Sequence, residues 1–178
     1  MRLLITGSNG FIGKNLIVCL NELNIDVVTY TRENSTQDLK ELIKDADFII
    51  HLAGENRPKD EKDFNLVNAG LTVSICDAVR SSGKNIPIIL ASSTQAEHIN
   101  AYGKSKLDAE NIMKLLEIDT GCPVYAYRLP GVFGKWCKPN YNSVVATFCH
   151  NIANNLPIQV NNSTNEISLV YIDDVVSR

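Results

Sequence analysis

No stretch of this chain approaches the about 20 consecutive apolar residues that a membrane-spanning helix requires, so a transmembrane role is not expected. Basic residues are not in excess either: 17 Lys and Arg face 20 Asp and Glu, for a net charge of −3. That balance gives no electrostatic reason to expect nucleic acid, and no basic run marks a membrane surface. Paired cysteines are missing too. Cys19, Cys76, Cys122, Cys137 and Cys149 are odd in number, scattered and without a CxxC pair, which reads as reduced intracellular thiols rather than a disulfide framework. Cys149-His150 is the one Cys/His neighbour pair, and adjacent residues on a helix do not face a common metal, so no metal site is expected. Repeats and low-complexity segments are absent. Met1-Arg2 leads straight into a first strand, leaving no room for a signal peptide, and the expected location is the cytoplasm.

What is present is an ordinary globular composition, 44% hydrophobic over 178 residues, enough for one domain with a substantial core. Its most informative stretch is Leu3-Leu4-Ile5-Thr6-Gly7-Ser8-Asn9-Gly10-Phe11-Ile12-Gly13. A short apolar strand runs into three glycines spaced three apart and then into a helical pattern. Such a turn brings backbone N–H groups up to a diphosphate at the positive end of a helix. Its place between a strand and a helix at the N-terminus separates it from a chance glycine triplet.

Strand and helix signals then alternate, which predicts a doubly wound α/β fold, a parallel sheet covered on both faces. Strands are expected at 2–6, 26–30, 47–52, 87–91 and 124–128, with helices at about 10–23, from Ser35 or Thr36 through Ile43, at 65–82 and at about 102–118. In the helix at 102–118, Ala109, Ile112, Met113 and Leu116 share one face. Only one helix fits between Arg32 and Asp47, so the usual third strand of this Rossmann-like arrangement is expected to be short or missing. Beyond Pro130 the pattern predicts an irregular loop to Tyr141, a helix at 143–154 with Val144, Phe148 and Ile152 in one stripe, short strands at 158–160 and 167–171, and a helical first turn at Asp173. The pattern stops where that helix begins, so the chain reads as truncated.

Tyr102 and Lys106, four apart on a helix, share a face. Ser92, Ser93 and Thr94 end the preceding strand, at the carboxyl edge where open parallel sheets bind ligands. A phenol titrates near ~10 in water, too high for efficient proton transfer at neutral pH, and a neighbouring ammonium is expected to favour the phenolate. A serine hydroxyl there can hold a carbonyl oxygen as charge develops on it. Cofactor preference is read after the second strand, at Thr29-Tyr30-Thr31-Arg32-Glu33. No carboxylate stands at the strand tip, and Arg32 can pair with a ribose 2′-phosphate, so NADPH is expected over NADH, with Glu33 keeping NADH open.

Thr6-Gly7-x-x-Gly10-x-x-Gly13, His51-Leu52-Ala53-Gly54, Ser92-Ser93, Tyr102-x-x-x-Lys106 and Tyr171-Ile172-Asp173-Asp174-Val175 together resemble the extended short-chain dehydrogenase/reductases. The loop Phe133-Gly134-Lys135-Trp136-Cys137-Lys138-Pro139-Asn140-Tyr141-Asn142-Ser143, with Glu55-Asn56-Arg57-Pro58 and Ala146-Thr147-Phe148-Cys149, is similar to one subgroup, the capsule-biosynthesis reductases of the CapF/WbjC type. The resemblance implies Tyr102 as proton donor, Lys106 as its partner on the nicotinamide ribose, and Ser93, ahead of Ser92, as the oxygen holder. It places cofactor contacts on Gly7, Asn9, Gly10, Phe11, Ile12, Gly13, Leu52, Ala53, Gly54, Tyr102, Lys106 and Arg128. Asn68, Lys135, Lys138, Asn140 and Asn142 become candidates for substrate binding; Asn68 reads equally as a helix-packing amide, and the two lysines as solvated loop charges. Gly131 stands where relatives carry an asparagine near the substrate diphosphate, so no such contact is assigned to that turn.

The subgroup implies NADPH-dependent reduction of the C4 ketone of a UDP-2-acetamido-2,6-dideoxy-hexulose, on the route to UDP-N-acetyl-L-fucosamine. It also implies a UDP-sugar partner, a homodimer in the full-length protein, and a C-terminal zinc-binding cupin domain that this chain lacks. The expectation is therefore a reductase domain over 1–178 with a partial nucleotide-sugar lobe. Two rivals stand beside it: a UDP-sugar epimerase of the same family, and a non-catalytic dinucleotide-binding sensor or dead fragment. Dehydration is disfavoured, because Thr94-Gln95 offers no Asp-Glu acid/base pair.

Overall fold

The computed structural model describes residues 1–56, 64, 68–160 and 164–177. The chain divides into two compact units, Met1–Arg128 and Leu129–Arg178. In the first, β1 (Arg2–Thr6), α1 (Phe11–Glu22), β2 (Asp26–Tyr30), α2 (Thr36–Asp45), β3 (Phe48–His51), α3 (Gly70–Ser82), β4 (Ile88–Ser93), α4 (Ala101–Thr120) and β5 (Val124–Leu129) follow one another. A 3-10 turn, Thr94–Glu97, links β4 to α4. The parallel sheet has the order β2-β1-β3-β4-β5.

The central strands β1, β3 and β4 pack on both faces, because alternate residues of each strand point opposite ways. Leu4, Ile49, Ile88 and Leu90 meet α2, α3 and α4 through Leu39, Ile43, Ile75, Val79, Met113 and Leu116. Leu3, Ile5 and Ile50 meet Leu16 and Leu20 of α1 on the other side. The face expected for α4 is buried at Ala109, Met113 and Leu116, with Ile112 partly so.

The missing-strand expectation concerns the interval after β2. There the chain passes through α2 alone, held at its start by a Ser35–Asp38 capping box, and enters β3. β3 pairs with β1 on the side away from β2, so β2 forms the edge of the sheet. The register sets Thr6 opposite both Tyr30 and His51, and His51 opposite Leu90. The ends of β1, β2 and β3 therefore lie level, and the glycine turn, Arg32 and Gly54 all emerge at the same carboxyl edge.

In the second unit β6 (Gly131–Phe133) pairs in parallel with β7 (Leu169–Tyr171), and α5 (Val144–Ala153) and α6 (Ile172–Val176) complete it. Two expectations change here. The loop 130–141 contains β6, because its Gly-Val-Phe finds a partner 38 residues further on. Residues 158–160 form no strand: Ile158 and Val160 are exposed and have no ladder partner among the described residues, and strand propensity without a neighbour builds nothing. The α5 stripe is not buried, with Ile152 exposed and Val144 and Phe148 half-buried. The first turns of the helix expected from residue 65, and Arg57-Pro58, lie outside the described residues. Among those described, no helix is long and apolar enough to cross a membrane.

Candidate active site

The glycine turn is shaped by close backbone packing. Gly7 has φ +73°, and a Cβ there would lie 2.6 Å from Ala53 N, at the exit of β3. A Cβ on Gly13 would run into Gly7 O. Gly10 caps α1 with no side-chain hydrogen bond, and the first turn holds no acidic residue. The positive end of a 12-residue helix is thus left without a neutralising side chain, which suits a diphosphate.

Behind this turn runs a directed chain of buried hydrogen bonds. Thr72 Oγ1 donates to Asn68 O at 2.7 Å, so towards His51 Nε2, 3.1 Å away, it can only accept. That makes Nε2 the protonated nitrogen and Nδ1 the acceptor of Thr6 Oγ1–H at 2.6 Å. Thr6 Oγ1 in turn accepts from Ala53 N at 3.2 Å. Burial, with the Lys106 charge adding to it, holds the His51 imidazole down to about 3.

A pH dependence follows. Unfolded His51 takes a proton at about 6.5 and the folded ring refuses it until about 3. Its contribution to stability is complete above pH 6.5 and is lost as pH falls towards 3, about 2 kcal/mol of it by pH 5. Urea midpoints at pH 7 and pH 5 measure this; a His51→Gln variant should lose the slope. Equal wild-type midpoints would contradict the assignment. The carboxylates of Asp38, Glu41 and Glu110 are lowered by their hydrogen bonds and so titrate below this window.

α4 delivers the next groups. Asn100 caps it by accepting from Gly103 N at 2.7 Å. A Cβ on Gly103 would run into Gln95 O and come within 2.7 Å of His98 O, so this glycine lets the helix start press against the 3-10 turn that follows Ser93. The Tyr102 phenol then stands beside the Ser93 side chain. Burial raises the Tyr102 phenol above its usual value, with the neighbouring Ser93 side chain acting the other way. The ammonium by itself therefore does not produce the shift towards phenolate expected of it. Lys106 Nζ stands 5.9 Å from the Tyr102 ring centroid and donates instead to Ala91 O at 3.0 Å, so desolvation prevails. Lys106 is itself only 7% exposed; burial pulls its ammonium down to about 8, against the pull of Glu110.

Gly54 and Asn68 close the other side. A Cβ at Gly54 would lie 3.1 Å from both Lys106 Nζ and Asn68 Oδ1. Asn68 Oδ1 accepts from Glu55 N at 2.7 Å, and its Nδ2 donates to Ser105 Oγ at 2.9 Å and Glu55 O at 3.2 Å. Ser92 donates to Glu110, leaving Ser93 as the serine beside the phenol.

The structure thus brings Ser93, Tyr102, Lys106, Gly54 and Asn68 together. Arg32, exposed at the end of β2, pairs with Glu55 at 3.0 Å. Arg128 donates to Glu110 and Glu97. In the second unit Lys135 Nζ lies 4.3 Å over the Trp136 ring, and Trp136 and Asn140 have φ of 68° and 55°, conformations sparsely used by non-glycine residues. Lys135 lines a cavity of about 460 Å³ together with Phe133, Cys137, Pro139, Cys149 and His150. Lys138, Asn140 and Asn142 are exposed on the same loop and do not line it. Sequence reasoning missed Gly103, Ser105, Glu110 and the Thr6–His51–Thr72 chain. Gly103 and Ser105 lie inside Tyr102-x-x-x-Lys106 and Glu110 lies one turn beyond, so helical spacing was the available signal.

A family model for the NAD dependent epimerase/dehydratase family matches residues 3–177. The chain belongs to this family. Among family relatives, the UDP-2-acetamido-2,6-beta-L-arabino-hexul-4-ose reductase of Pseudomonas aeruginosa is 57% identical over 99% of this chain and 48% of its own length. The crystal structure of the capsular polysaccharide assembling protein CapF from Staphylococcus aureus matches with TM-score 0.87 and 44% identity, covering 99% of this chain and 48% of that one. UDP-glucuronic acid 4-epimerase from Bacillus cereus, solved with UDP-glucuronic acid and NAD, shares the fold at TM-score 0.87 but only 18% identity, over 99% of this chain and 71% of that one. The chain spans about half the length of the first two.

Proposed function

We propose that this member of the epimerase/dehydratase family is an NADPH-dependent reductase domain acting on the C4 ketone of a UDP-2-acetamido-2,6-dideoxy-hexulose in capsular polysaccharide biosynthesis. The observation that carries the reading is a half-buried phenol beside Ser93 and one helical turn from Lys106, whose Nζ stands 5.9 Å from the ring centroid. The 57%-identical Pseudomonas aeruginosa relative, a UDP-2-acetamido-2,6-beta-L-arabino-hexul-4-ose reductase, supplies the substrate class. The nicotinamide cofactor supplies the hydride when bound. Ser93 donates a hydrogen bond to the ketone oxygen, and Tyr102 gives its proton to the alkoxide as it forms. The Lys106 ammonium stabilises the phenolate that remains. The uncapped start of α1 holds the diphosphate, and Arg32 at the tip of β2 favours the 2′-phosphate of NADPH. The partner is the UDP-sugar itself.

The test combines calorimetric titration with NADPH and NADH and the loss of 340 nm absorbance with the UDP-4-keto sugar. NADPH is expected to bind at least about fivefold tighter than NADH, since an arginine–phosphate contact is worth roughly 1 kcal/mol or more. Sugar-dependent oxidation is expected with it. Interconversion of UDP-sugars without net NADPH loss would replace this reading by an epimerase, and binding without turnover by a sensor.

A further inference from the structure

The carboxyl end of β4 is gripped by a side-chain ring that the proposed chemistry does not use. Ser92 and Ser93 are successive strand residues and face opposite ways. Ser92 donates its hydroxyl to Glu110 Oε1 on α4. Arg128, on β5, donates to both oxygens of the same carboxylate, Nε to Oε1 at 2.9 Å and Nη2 to Oε2 at 2.7 Å. Through Nη1 it also reaches Glu97 Oε1 at 2.9 Å, on the turn directly after Ser93. The segment 92–97 is therefore tied from α4 and from β5 at once, and Ser93 sits in the middle of it. Glu110 has little solvent to screen it, its side chain being 13% exposed, and it lies one helical turn beyond Lys106.

We propose that Glu110 is a positioning residue of this site: through Ser92 it holds the end of β4 so that Ser93 faces Tyr102, and it supplies the fixed negative charge that keeps Lys106 protonated. The kinetic part rests on the reductase reading; the titration part does not. The groups facing Lys106 support the second role. On its own helix these are Tyr102 and Glu110, and from β3 the neutral His51. Asn68, Gly54 and the Ala91 carbonyl add no titrating proton. Glu97 and Arg128 lie one contact further out, paired with each other. Among the described residues, Glu110 is thus the carboxylate acting on an ammonium that burial has already pulled to about 8.

Two variants separate the roles. Glu110→Gln keeps the size of the side chain and an oxygen for Ser92 but removes the charge. The Lys106 titration, read by 13C NMR after reductive methylation, is expected to move down by roughly one unit, with the alkaline limb of kcat following it. Ser92→Ala keeps the charge and cuts the link to β4. It is expected to lower kcat at pH 6.5 by about tenfold or more while leaving the limb in place and the KM for NADPH within about twofold. A Lys106 midpoint unchanged in Glu110→Gln, or wild-type kcat in Ser92→Ala, overturns the proposal; should Glu110→Gln fail to fold, Ser92→Ala decides. A wild-type chain that binds NADPH without turnover sinks the reductase reading and leaves the NMR arm to be judged on its own.

Discussion

Tyr102→Phe is expected to reduce kcat by roughly a thousandfold, within the range that a positioned general acid contributes. The substitution removes one oxygen and leaves the ring, whose centroid lies 5.7 Å from that of Phe64, free to pack as before. What disappears is the proton for the sugar alkoxide and the hydroxyl beside Ser93. Stability should change by no more than about 1 kcal/mol, the net worth of a typical hydrogen bond. NADPH affinity should stay within about threefold, since the phenol contributes to turnover rather than to the grip on the diphosphate. Stopped-flow reduction of the UDP-4-keto sugar, with a parallel urea melt, measures all three. A variant that still turns over at a tenth of the wild-type rate would remove Tyr102 from the proton-transfer step.

Gly7→Ala should act on the fold and the cofactor together. The added methyl would stand 2.6 Å from Ala53 N and 2.8 Å from both Ala53 Cα and Leu52 C, all backbone, on a residue whose φ is +73°. The backbone conformation costs about 1 kcal/mol for a non-glycine residue and the overlap adds about 1–3 kcal/mol, so a loss of about 3 kcal/mol is expected. No side chain can swing aside to relieve it. Relief requires the turn to leave the β3 exit, which carries the start of α1 away from its place over the sheet. NADPH binding should weaken by at least about tenfold for that reason. Denaturation midpoints and a fluorescence titration report the two effects; a wild-type midpoint would mean that the close approach of Gly7 to Ala53 is not real.

What could be read in advance was the part governed by neighbours along the chain. Three glycines at fixed spacing after an apolar strand, a tyrosine and a lysine four apart, a Ser-Ser strand end and a single helix between Arg32 and Asp47 are local patterns. Backbone geometry turns each of them into a shape wherever it occurs. The parallel sheet and its missing third strand followed from those alternations, because one helix between two strands leaves few ways to connect them. Where local pattern was the only support, it misled. Residues 158–160 have strand-forming side chains and no neighbouring strand among the described residues.

The chemistry of the side chains depended on contacts between distant parts of the chain. Spacing placed an ammonium near the phenol and suggested a lowered phenol; packing turned Lys106 towards Ala91 O and buried both groups, and the phenol rose instead. The resemblance ranked Ser93 ahead of Ser92, and the physical difference between them comes from Glu110, 18 residues on, which engages Ser92. His51 was a letter in a motif until Thr6 and Thr72 defined which of its nitrogens carries the proton. Secondary structure is selected by interactions over a few residues, whereas pKa and hydrogen-bond direction depend on desolvation and on partners brought in from elsewhere in the fold.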